Sequence, residues 1–195
     1  MKKIRILTLV LLAALVLFAV SCGTQKASGK YEAVIEIADY GTIKLTLDGD
    51  AAPITVANFV SLAEDGFYDG LTFHRIVEGF VMQGGDPEGT GLGGSDKKIK
   101  GEFSINGWDN PISHVRGVIS MARSSDPDSA RSQFFIVHQD STFLDGQYAA
   151  FGWVTEGMEV VDAICEAAKP YDTNGSIRAE QQPVITSITV TKADG

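Results

Sequence analysis

The sequence predicts a mainly β domain in which an antiparallel barrel is covered by two helices. Short apolar segments recur between loops rich in Gly and Asp, and only two stretches space their apolar residues as a helix does. The first and last segments of the domain alternate between apolar and polar residues, as strands with one wet face do. With 195 residues, the chain has the length of one globular domain and a short appendage.

The composition of the chain argues against a disordered protein and against a nucleic-acid-binding protein. The chain is 44% hydrophobic and 21% charged, which is too apolar and too mixed in charge for a disordered protein. Its formal net charge is −9, and loss of the basic residues Lys2, Lys3 and Arg5 with a leader would make it more negative. Because an acidic domain repels phosphate backbones, no nucleic-acid partner is expected.

Residues 1–21 are predicted to be a lipoprotein signal peptide. A basic start precedes the apolar run Ile6–Val20, which is shorter than the about 20 residues that span a bilayer. Small residues before Cys22 resemble a bacterial lipoprotein box, in which the chain is cut before this cysteine and its thiol is lipidated. Ala19 stands where Leu is usual, so an ordinary signal peptide cut nearby is the alternative.

The chain is then predicted to comprise a flexible tether over residues 22–30 and a folded domain over residues 31–195. The tether is small and polar, as a flexible linker should be. We expect the protein to be extracytoplasmic, with Cys22 attaching it to the lipid bilayer of a bacterial cell membrane. Cys165 lies in an apolar helical stretch and is predicted to be a small core residue, so no disulfide is expected.

The domain is predicted to open with a hairpin followed by a helix. Apolar and polar residues alternate over residues 33–38 and 42–47, and Asp39–Gly41 supplies the turn. Pro53 begins the helix, where its missing N–H is harmless, and Gly66 is the predicted stop.

Six more strands and a second helix complete the prediction. The second helix covers about Met158–Ala168. No internal repeat or second domain boundary is visible, so the strands are expected to share one closed core. The strands are Leu71–Val77, Phe80–Gln83, Gly117–Met121, Gln133–Val137, Ala149–Val154 and Val184–Thr191.

Phe73–Asp86 is the most informative segment for function. If its two strands are neighbours, Arg75 lies among aromatic residues with Gln83 within reach. A guanidinium does not deprotonate in proteins, so Arg75 can donate hydrogen bonds and charge but cannot act as a base. Taken alone, Arg75 could equally be an ordinary surface arginine.

Phe73–Asp86 resembles the signature of the cyclophilin-type peptidyl-prolyl cis-trans isomerases. Four later blocks match the family in order, and the resemblance covers about Tyr31 to Thr191. It implies a closed eight-stranded antiparallel β-barrel capped by two α-helices, and acceleration of X–Pro bond rotation in exported proteins without cofactor or metal. The four blocks are Gly89–Gly91, Gly117–Ala122, Ser132–Ile136 and Leu144–Gly152.

This implied activity makes chemical sense for an arginine. Rotation about an X–Pro bond crosses a barrier of about 18–20 kcal/mol because it destroys amide resonance. In the twisted state the proline nitrogen becomes pyramidal and gains a lone pair. A donor aimed at that nitrogen stabilises the transition state and does little for the planar ground state.

The resemblance also assigns the site residues. It makes Arg75 the catalytic residue and Gln83 the hydrogen-bonding partner that orients arginine and substrate. The implied substrate-binding residues are Phe80, Val81, Ala122, Arg123, Gln133, Phe135, Phe143, Leu144 and Tyr148. Among them Ala122 and Arg123 would present backbone to the residues before the proline, and Gln133 would border a neighbouring subsite.

Several positions depart from the family pattern. Phe143 stands where cyclosporin-sensitive relatives carry Trp, so an indole N–H is missing and weak cyclosporin binding is expected. Arg131 lies where a small residue is usual, which predicts a different loop over 124–131. Val81 replaces a frequent Met, Arg123 a common Asn and Tyr148 a frequent His.

Other patterns carry less weight. Gly89–Gly94 fits G-x-G-x-x-G, but no helical apolar face follows, as a dinucleotide site requires. The three histidines do not cluster as metal ligands, and His74 is expected to be a hydrogen-bonded structural residue. Ser120 lies inside an apolar strand and is a poor nucleophile candidate, and Asn174–Ser176 is interpreted as a loop rather than a glycosylation site.

Two function classes remain from sequence. One is an isomerase acting on proline-containing segments of exported polypeptides, with a monomer as the expected state. The other is a chaperone or scaffold that grips such segments and turns them over incidentally. The sequence favours the enzyme because Arg75, Phe80, Gln83 and Phe135 are all present, and a binder without turnover would be expected to lose the arginine first.

Overall fold

The computed structural model describes residues 25–193, in which eight antiparallel strands and two α-helices form a mainly β fold. The predicted fold class is therefore confirmed. Three short 3₁₀ turns, which the sequence did not indicate, lie between these elements. The elements are β1 (Lys30–Ile37), β2 (Gly41–Asp48), α1 (Pro53–Glu64), β3 (Arg75–Val77), β4 (Val81–Gly84), β5 (Val118–Met121), β6 (Phe134–Val137), β7 (Ala150–Glu156), α2 (Met158–Ala167) and β8 (Ile185–Lys192).

The eight strands form one curved sheet in the order β3-β4-β6-β5-β7-β2-β1-β8. Its two edge strands, β3 and β8, share no ladder. A single bridge between Thr72 and Val184 and backbone hydrogen bonds around it join the chain before β3 to the start of β8. The sheet is thus a half-barrel with an irregular seam, and the expectation of a closed barrel was overstated.

The hairpin β1–β2 is formed as predicted and joins the chain entry to the domain. Ala27 N–H donates to Pro53 O, and Gly49 N–H donates to Gly29 O, so these residues already belong to the folded unit. The last residues of the predicted tether therefore contact the turn that follows β2 and the start of α1. The predicted signal peptide, Cys22 and the first residues of the tether lie outside the described residues.

Helix α1 covers one opening of the half-barrel and carries the centre of the core. Its Phe59 is fully buried, and the ring packs against Tyr68, Phe134 and Phe151 at centroid distances of 5.2–5.5 Å. Gly66, at φ 66°, follows the helix in the left-handed region, as the predicted stop requires.

The start of α1 is capped by a residue from a distant loop. Both carboxylate oxygens of the fully buried Glu102 accept backbone N–H groups of the first turn, from Ile54 at 2.9 Å and Thr55 at 2.8 Å. A carboxylate at this position satisfies orphan donors and faces the positive end of the helix dipole. This contact was not predicted from sequence.

Helix α2 covers the other opening through one apolar face. Val161, Ile164 and Cys165 on this face are buried in the core. Burial raises the pKa of the Cys165 thiol to about 12, so the predicted role of this cysteine as a small core residue is confirmed. Within residues 25–193, neither helix has the length and hydropathy needed to cross a membrane.

Candidate active site

The register of four strands places the two proposed reactive residues in one row across the sheet. Arg75 on β3 pairs with Gln83 on β4, Gln83 pairs with Phe135 on β6, and Phe135 pairs with Ser120 on β5. Directly paired residues point to the same face of a sheet. The expectation that Arg75 and Gln83 are within reach of each other is therefore confirmed, and a one-residue slip of any strand would break the row.

The guanidinium of Arg75 is held from two sides at the edge of an apolar surface. Its Nε donates to Asn174 O at 2.8 Å, and its Nη1 donates to Gln83 Oε1 at 3.2 Å. The guanidinium carbon lies 5.7 Å from the centroid of the Phe80 ring. Burial lowers the pKa of Arg75 from its ordinary value, yet a guanidinium stays protonated at any physiological pH, so Arg75 is a fixed cation.

The loop that supplies Asn174 O is itself fixed. The carboxylate of Asp172 accepts N–H groups from Asn174 at 3.0 Å and Ser176 at 2.9 Å. Gly175, at φ 90°, accepts a hydrogen bond at its carbonyl oxygen from the N–H of Ile76 on β3. A Cβ at Gly175 would lie 2.4 Å from Val77 Cγ2, so only glycine lets this loop approach the strand. The segment Asn174–Ser176 is a loop, as interpreted from sequence, and it also positions Arg75.

Next to Arg75 lies a cavity of about 230 Å³, called here the first pocket. Typical ligand pockets span about 300–1,000 Å³, so this one suits a single ring or side chain. Every residue that lines it was expected at the site. The lining residues are Arg75, Phe80, Val81, Gln83, Ala122, Arg123, Phe135, Leu144 and Tyr148.

Two expected site residues do not line the first pocket. Phe143 is 65% exposed and stacks on Phe80, with centroids 5.6 Å apart and planes 25° apart, so it forms an outer rim. Gln133 lines a neighbouring cavity, and its Oε1 accepts from Gln83 Nε2 at 2.9 Å. Its own side-chain amide donates to Gly93 O at 2.8 Å. A series of hydrogen bonds therefore runs from the Gly-rich loop (Gly89–Gly94) to Arg75.

A buried histidine supports the floor of the first pocket. The His114 ring is 1% exposed, and its Nδ1 lies 2.8 Å from Asp145 Oδ1 while its Nε2 lies 2.9 Å from Ser120 Oγ. With the carboxylate accepting from Nδ1–H, Nε2 accepts from the Ser120 hydroxyl. Ser120 is fully buried beside Phe135 on the neighbouring strand. The trio therefore resembles a catalytic triad in its distances but offers a substrate no access.

Sequence reasoning missed this network. Ser120 was considered only as a nucleophile, and His114 only as a metal ligand. The expectation that Ser120 is a poor nucleophile agrees with its full burial. No sequence signal joins His114 to Asp145, which lie 31 residues apart. Residues 25–193 hold no group of three His, Cys, Asp or Glu side chains that could bind a metal ion.

The Gly-rich loop beside Gln133 surrounds the side-chain carboxylate of Asp86. Asp86 is buried, and its Oδ2 accepts N–H groups from Thr90 at 3.0 Å and Gly91 at 2.6 Å, while its Oδ1 accepts from Glu88 at 2.9 Å. Those hydrogen bonds hold the pKa of Asp86 below its ordinary value despite its burial. The next helical element after the loop is a short 3₁₀ turn at Ser104–Asn106, and not the α-helix that a dinucleotide fingerprint requires.

His74 differs in one respect from its sequence interpretation. It is buried and structural as expected, but neither ring nitrogen has a hydrogen-bond partner among the described residues. The Gly91 backbone packs over the ring edge, and a Cβ there would lie 3.5 Å from His74 Nε2. Burial lowers the pKa of His74 from its ordinary value, so the ring packs as a neutral group.

Comparison with known proteins identifies the family to which this curved antiparallel sheet belongs. The family model for cyclophilin type peptidyl-prolyl cis-trans isomerases matches residues 33–190. The chain belongs to this family.

Curated relatives share this similarity over most of their length. The chain is 50% identical over 123 residues to peptidyl-prolyl cis-trans isomerase B of Bacillus subtilis (strain 168), covering 63% of this chain and 82% of that protein. It is 48% identical over 126 residues to a peptidyl-prolyl cis-trans isomerase of Helicobacter pylori (strain ATCC 700392 / 26695), covering 64% and 74%.

A solved structure shares the fold. A cyclophilin type peptidyl-prolyl cis-trans isomerase of Cryptosporidium parvum, crystallised in the presence of the dipeptide Ala-Pro, superposes with a TM-score of 0.72 at 29% identity. The superposition covers 83% of this chain and 99% of that one. The family therefore accounts for the fold, and the chain is a peptidyl-prolyl cis-trans isomerase.

Proposed function

We propose that this isomerase acts on exposed X–Pro bonds of exported polypeptides from a lipid anchor at Cys22, with Arg75 as its catalytic residue. One observation carries the catalytic assignment. Arg75 is a fixed cation at the mouth of the first pocket, held by Asn174 O at 2.8 Å and Gln83 Oε1 at 3.2 Å.

The first pocket supplies what rotation of an X–Pro bond needs. Phe80, Phe135 and Leu144 offer an apolar enclosure the size of one ring, which suits the pyrrolidine of proline. Rotation removes the nitrogen lone pair from amide conjugation, so negative character grows on that nitrogen as the bond twists. Arg75, at the edge of the enclosure, then donates a hydrogen bond to a group that is a poor acceptor in the planar ground state.

The fixed position of the Arg75 guanidinium supports its assignment as the catalytic residue. Two hydrogen bonds and the Phe80 ring already fix the guanidinium, so little reorganisation accompanies the reaction. Gln83 both accepts from Arg75 and donates to Gln133, which sets the orientation of its amide. The presence of Ala-Pro with the similar Cryptosporidium parvum protein supports a proline-containing ligand for this chain too.

The location is proposed from the sequence alone. A basic start, an apolar run of signal length and small residues before Cys22 support export and lipidation. An enzyme so placed would meet newly exported chains while their X–Pro bonds are still exposed. Slow isomerisation of such bonds is a rate-limiting step in folding, so the proposed role is to assist it.

The catalytic assignment is tested by turnover of an X–Pro peptide by the wild-type protein and Arg75→Ala. Loss of one preorganised donor typically costs about 10²–10³ in rate, and we expect a loss of that order in kcat/KM. Arg178→Ala is the matched control because Arg178 is an exposed arginine outside the first pocket, stacked on Tyr171. Equal turnover by Arg75→Ala and wild type would contradict the mechanism and favour a proline-binding chaperone.

A further inference from the structure

A second cavity of about 350 Å³, called here the second pocket, opens beside the first pocket. The two share Gln83, Ala122 and Arg123 as a common wall. A polypeptide whose proline enters the first pocket therefore passes the mouth of the second within a few residues. The second pocket is lined by Gln83, Gly91, Leu92, Gly93, Lys98, Ala122, Arg123, Ser124, Ser129, Arg131 and Gln133.

The charge of the second pocket is opposite to that of the protein. Lys98, Arg123 and Arg131 line it, and no Asp or Glu does, although the chain as a whole carries a net charge of −9. None of these three cations forms a salt bridge with a carboxylate of residues 25–193. Among the Lys and Arg side chains of residues 25–193, only Lys30, Lys44 and Arg116 form salt bridges with carboxylates.

The two arginines are placed by uncharged groups. Arg123 donates from Nε to Gln147 O at 2.9 Å and from Nη1 to Ser124 O at 2.8 Å, and its guanidinium lies 4.7 Å from the centroid of the Tyr148 ring. Arg131 donates from Nη1 to Ser95 O at 3.3 Å. Neutral carbonyls fix these side chains and leave their charge uncompensated.

Asp86, Asp126 and Asp128 of the neighbouring loops are engaged elsewhere, and Glu88 is exposed beside Gly93. Asp86 is surrounded by the N–H groups of the Gly-rich loop. Asp128 accepts from Gly101 N–H at 3.0 Å and Asn106 Nδ2 at 2.7 Å. Asp126 accepts from the N–H of Asp128 at 3.0 Å. These contacts leave the three cations of the second pocket without a salt-bridge partner in the described part of the chain.

We propose that the second pocket binds an acidic side chain of the substrate, a Glu or Asp within a few residues of the isomerised proline. This inference rests on the proposed function, since the first pocket sets where the substrate lies. Lys98 and Arg131 are its specificity-determining residues, and Arg123 belongs to both pockets. The preference would be for the residue that flanks the X–Pro bond and not for the bond itself.

The test compares X–Pro peptides that carry a single Glu or Gln at successive positions before and after the proline. Exchange NMR measures turnover without a coupling protease. At one position, we expect the Glu peptide to exceed the Gln peptide about five- to tenfold in kcat/KM, as befits one carboxylate facing several partly screened cations. In about 1 M salt, where the Debye length is about 3 Å, this ratio should approach one.

Substitutions distinguish binding of the acidic side chain in the second pocket from a general effect of the protein's charge. Lys98→Gln and Arg131→Gln should each lower the Glu-to-Gln ratio at that position. Lys97→Gln is the matched control, because Lys97 is the adjacent exposed lysine and lines a separate cavity beside α1. Lys98 is exposed, so its variant keeps the test valid if Arg131→Gln fails to fold.

Each outcome of these measurements supports or overturns the proposed binding of an acidic side chain in the second pocket. A ratio of one at every position, or an equal loss in Lys97→Gln, would overturn the inference. A ratio unchanged in Lys98→Gln and Arg131→Gln, with weaker binding of these variants to anionic vesicles, would assign the cations to a lipid surface instead and also overturn it. Absence of turnover with the Gln peptides would count against the proposed function, whereas a missing Glu preference with normal turnover concerns the second pocket alone.

Discussion

The imidazole of His114 stacks on the ring of Phe135, with centroids 6.1 Å apart and planes 23° apart. The same imidazole contacts Asp145 and Ser120 through its two nitrogens. The residue before Asp145, Leu144, lines the first pocket together with Phe135. One buried neutral side chain thereby connects the floor and the wall of the pocket, which makes the protonation of His114 relevant to stability.

Stability is expected to fall on acidification below about pH 6.5. Burial lowers the pKa of His114 below its ordinary value of 6.5, although Asp145 partly offsets this, and burial lowers the pKa of His74 in the same way. Between each folded pKa and 6.5 the unfolded chain binds more protons, so the free energy of unfolding decreases as pH falls. Each histidine contributes at most about 1.4 kcal/mol per pH unit.

Urea unfolding of wild type and His114→Gln at a series of pH values measures this dependence. The variant should show a shallower loss of unfolding free energy between pH 6.5 and the onset of carboxylate titration. A slope identical to that of wild type would mean that His114 does not contribute. The same measurements on His74→Gln give the contribution of the second buried histidine, which lies away from Asp145.

Glu102→Gln is expected to destabilise the domain by about 1–3 kcal/mol, the usual scale for hydrogen bonds made by a charged group. The carboxylate accepts from two N–H groups at the start of α1, and an amide can accept with only one oxygen. Chemical denaturation measures the loss. Glu166→Gln, an exposed change on α2, is the control and should stay within about 0.5 kcal/mol.

Cyclosporin is expected to bind weakly. Phe143 stands at the rim of the first pocket, stacked on Phe80, and its ring offers no N–H donor. Phe143→Trp should strengthen binding about fivefold, the scale of one modest hydrogen bond. Titration calorimetry of both proteins measures the difference. A sub-micromolar Kd for the wild type would refute the expectation.

The proposed anchor predicts that Cys22→Ser releases the protein from membranes. Lipidation needs the thiol, and a serine hydroxyl does not replace it. Fractionation of cells that express wild type or variant measures the partition, and Cys165→Ser serves as the control because that thiol is buried in the core. Variant protein that stays in the membrane fraction would count against lipidation at Cys22.

Sequence predicted which residues are neighbours across short strands better than it predicted closure of the sheet. The proximity of Arg75 and Gln83 followed from two short neighbouring strands, and the family blocks carried over the apolar lining. Closure depends on the irregular seam at Thr72 and Val184. Both residues lie in predicted strands, but a single bridge and not a ladder joins them. An alternating pattern of apolar and polar residues indicates where strands pair in ladders, but it does not indicate where a single bridge forms.

Contacts between distant charged or polar residues could not be read from sequence. Glu102 caps α1 from 48 residues away, and nothing in its neighbours distinguishes a buried carboxylate from an exposed one. The second pocket depends on how the connection between β4 and β5 converges with the connection between β5 and β6. Arg131 was noted as unusual, but its proximity to Lys98 is a property of the folded chain only.

The carboxylate that the Gly-rich loop encloses has a consequence for substrate capture. Asp86 provides, from within the chain, the negative group around which such loops elsewhere close on a phosphate. The rim formed by Gly91 and Gly93 consequently has its shape before any peptide arrives. The loop then loses little conformational entropy when a peptide binds, so the entropic cost of association falls mainly on the peptide.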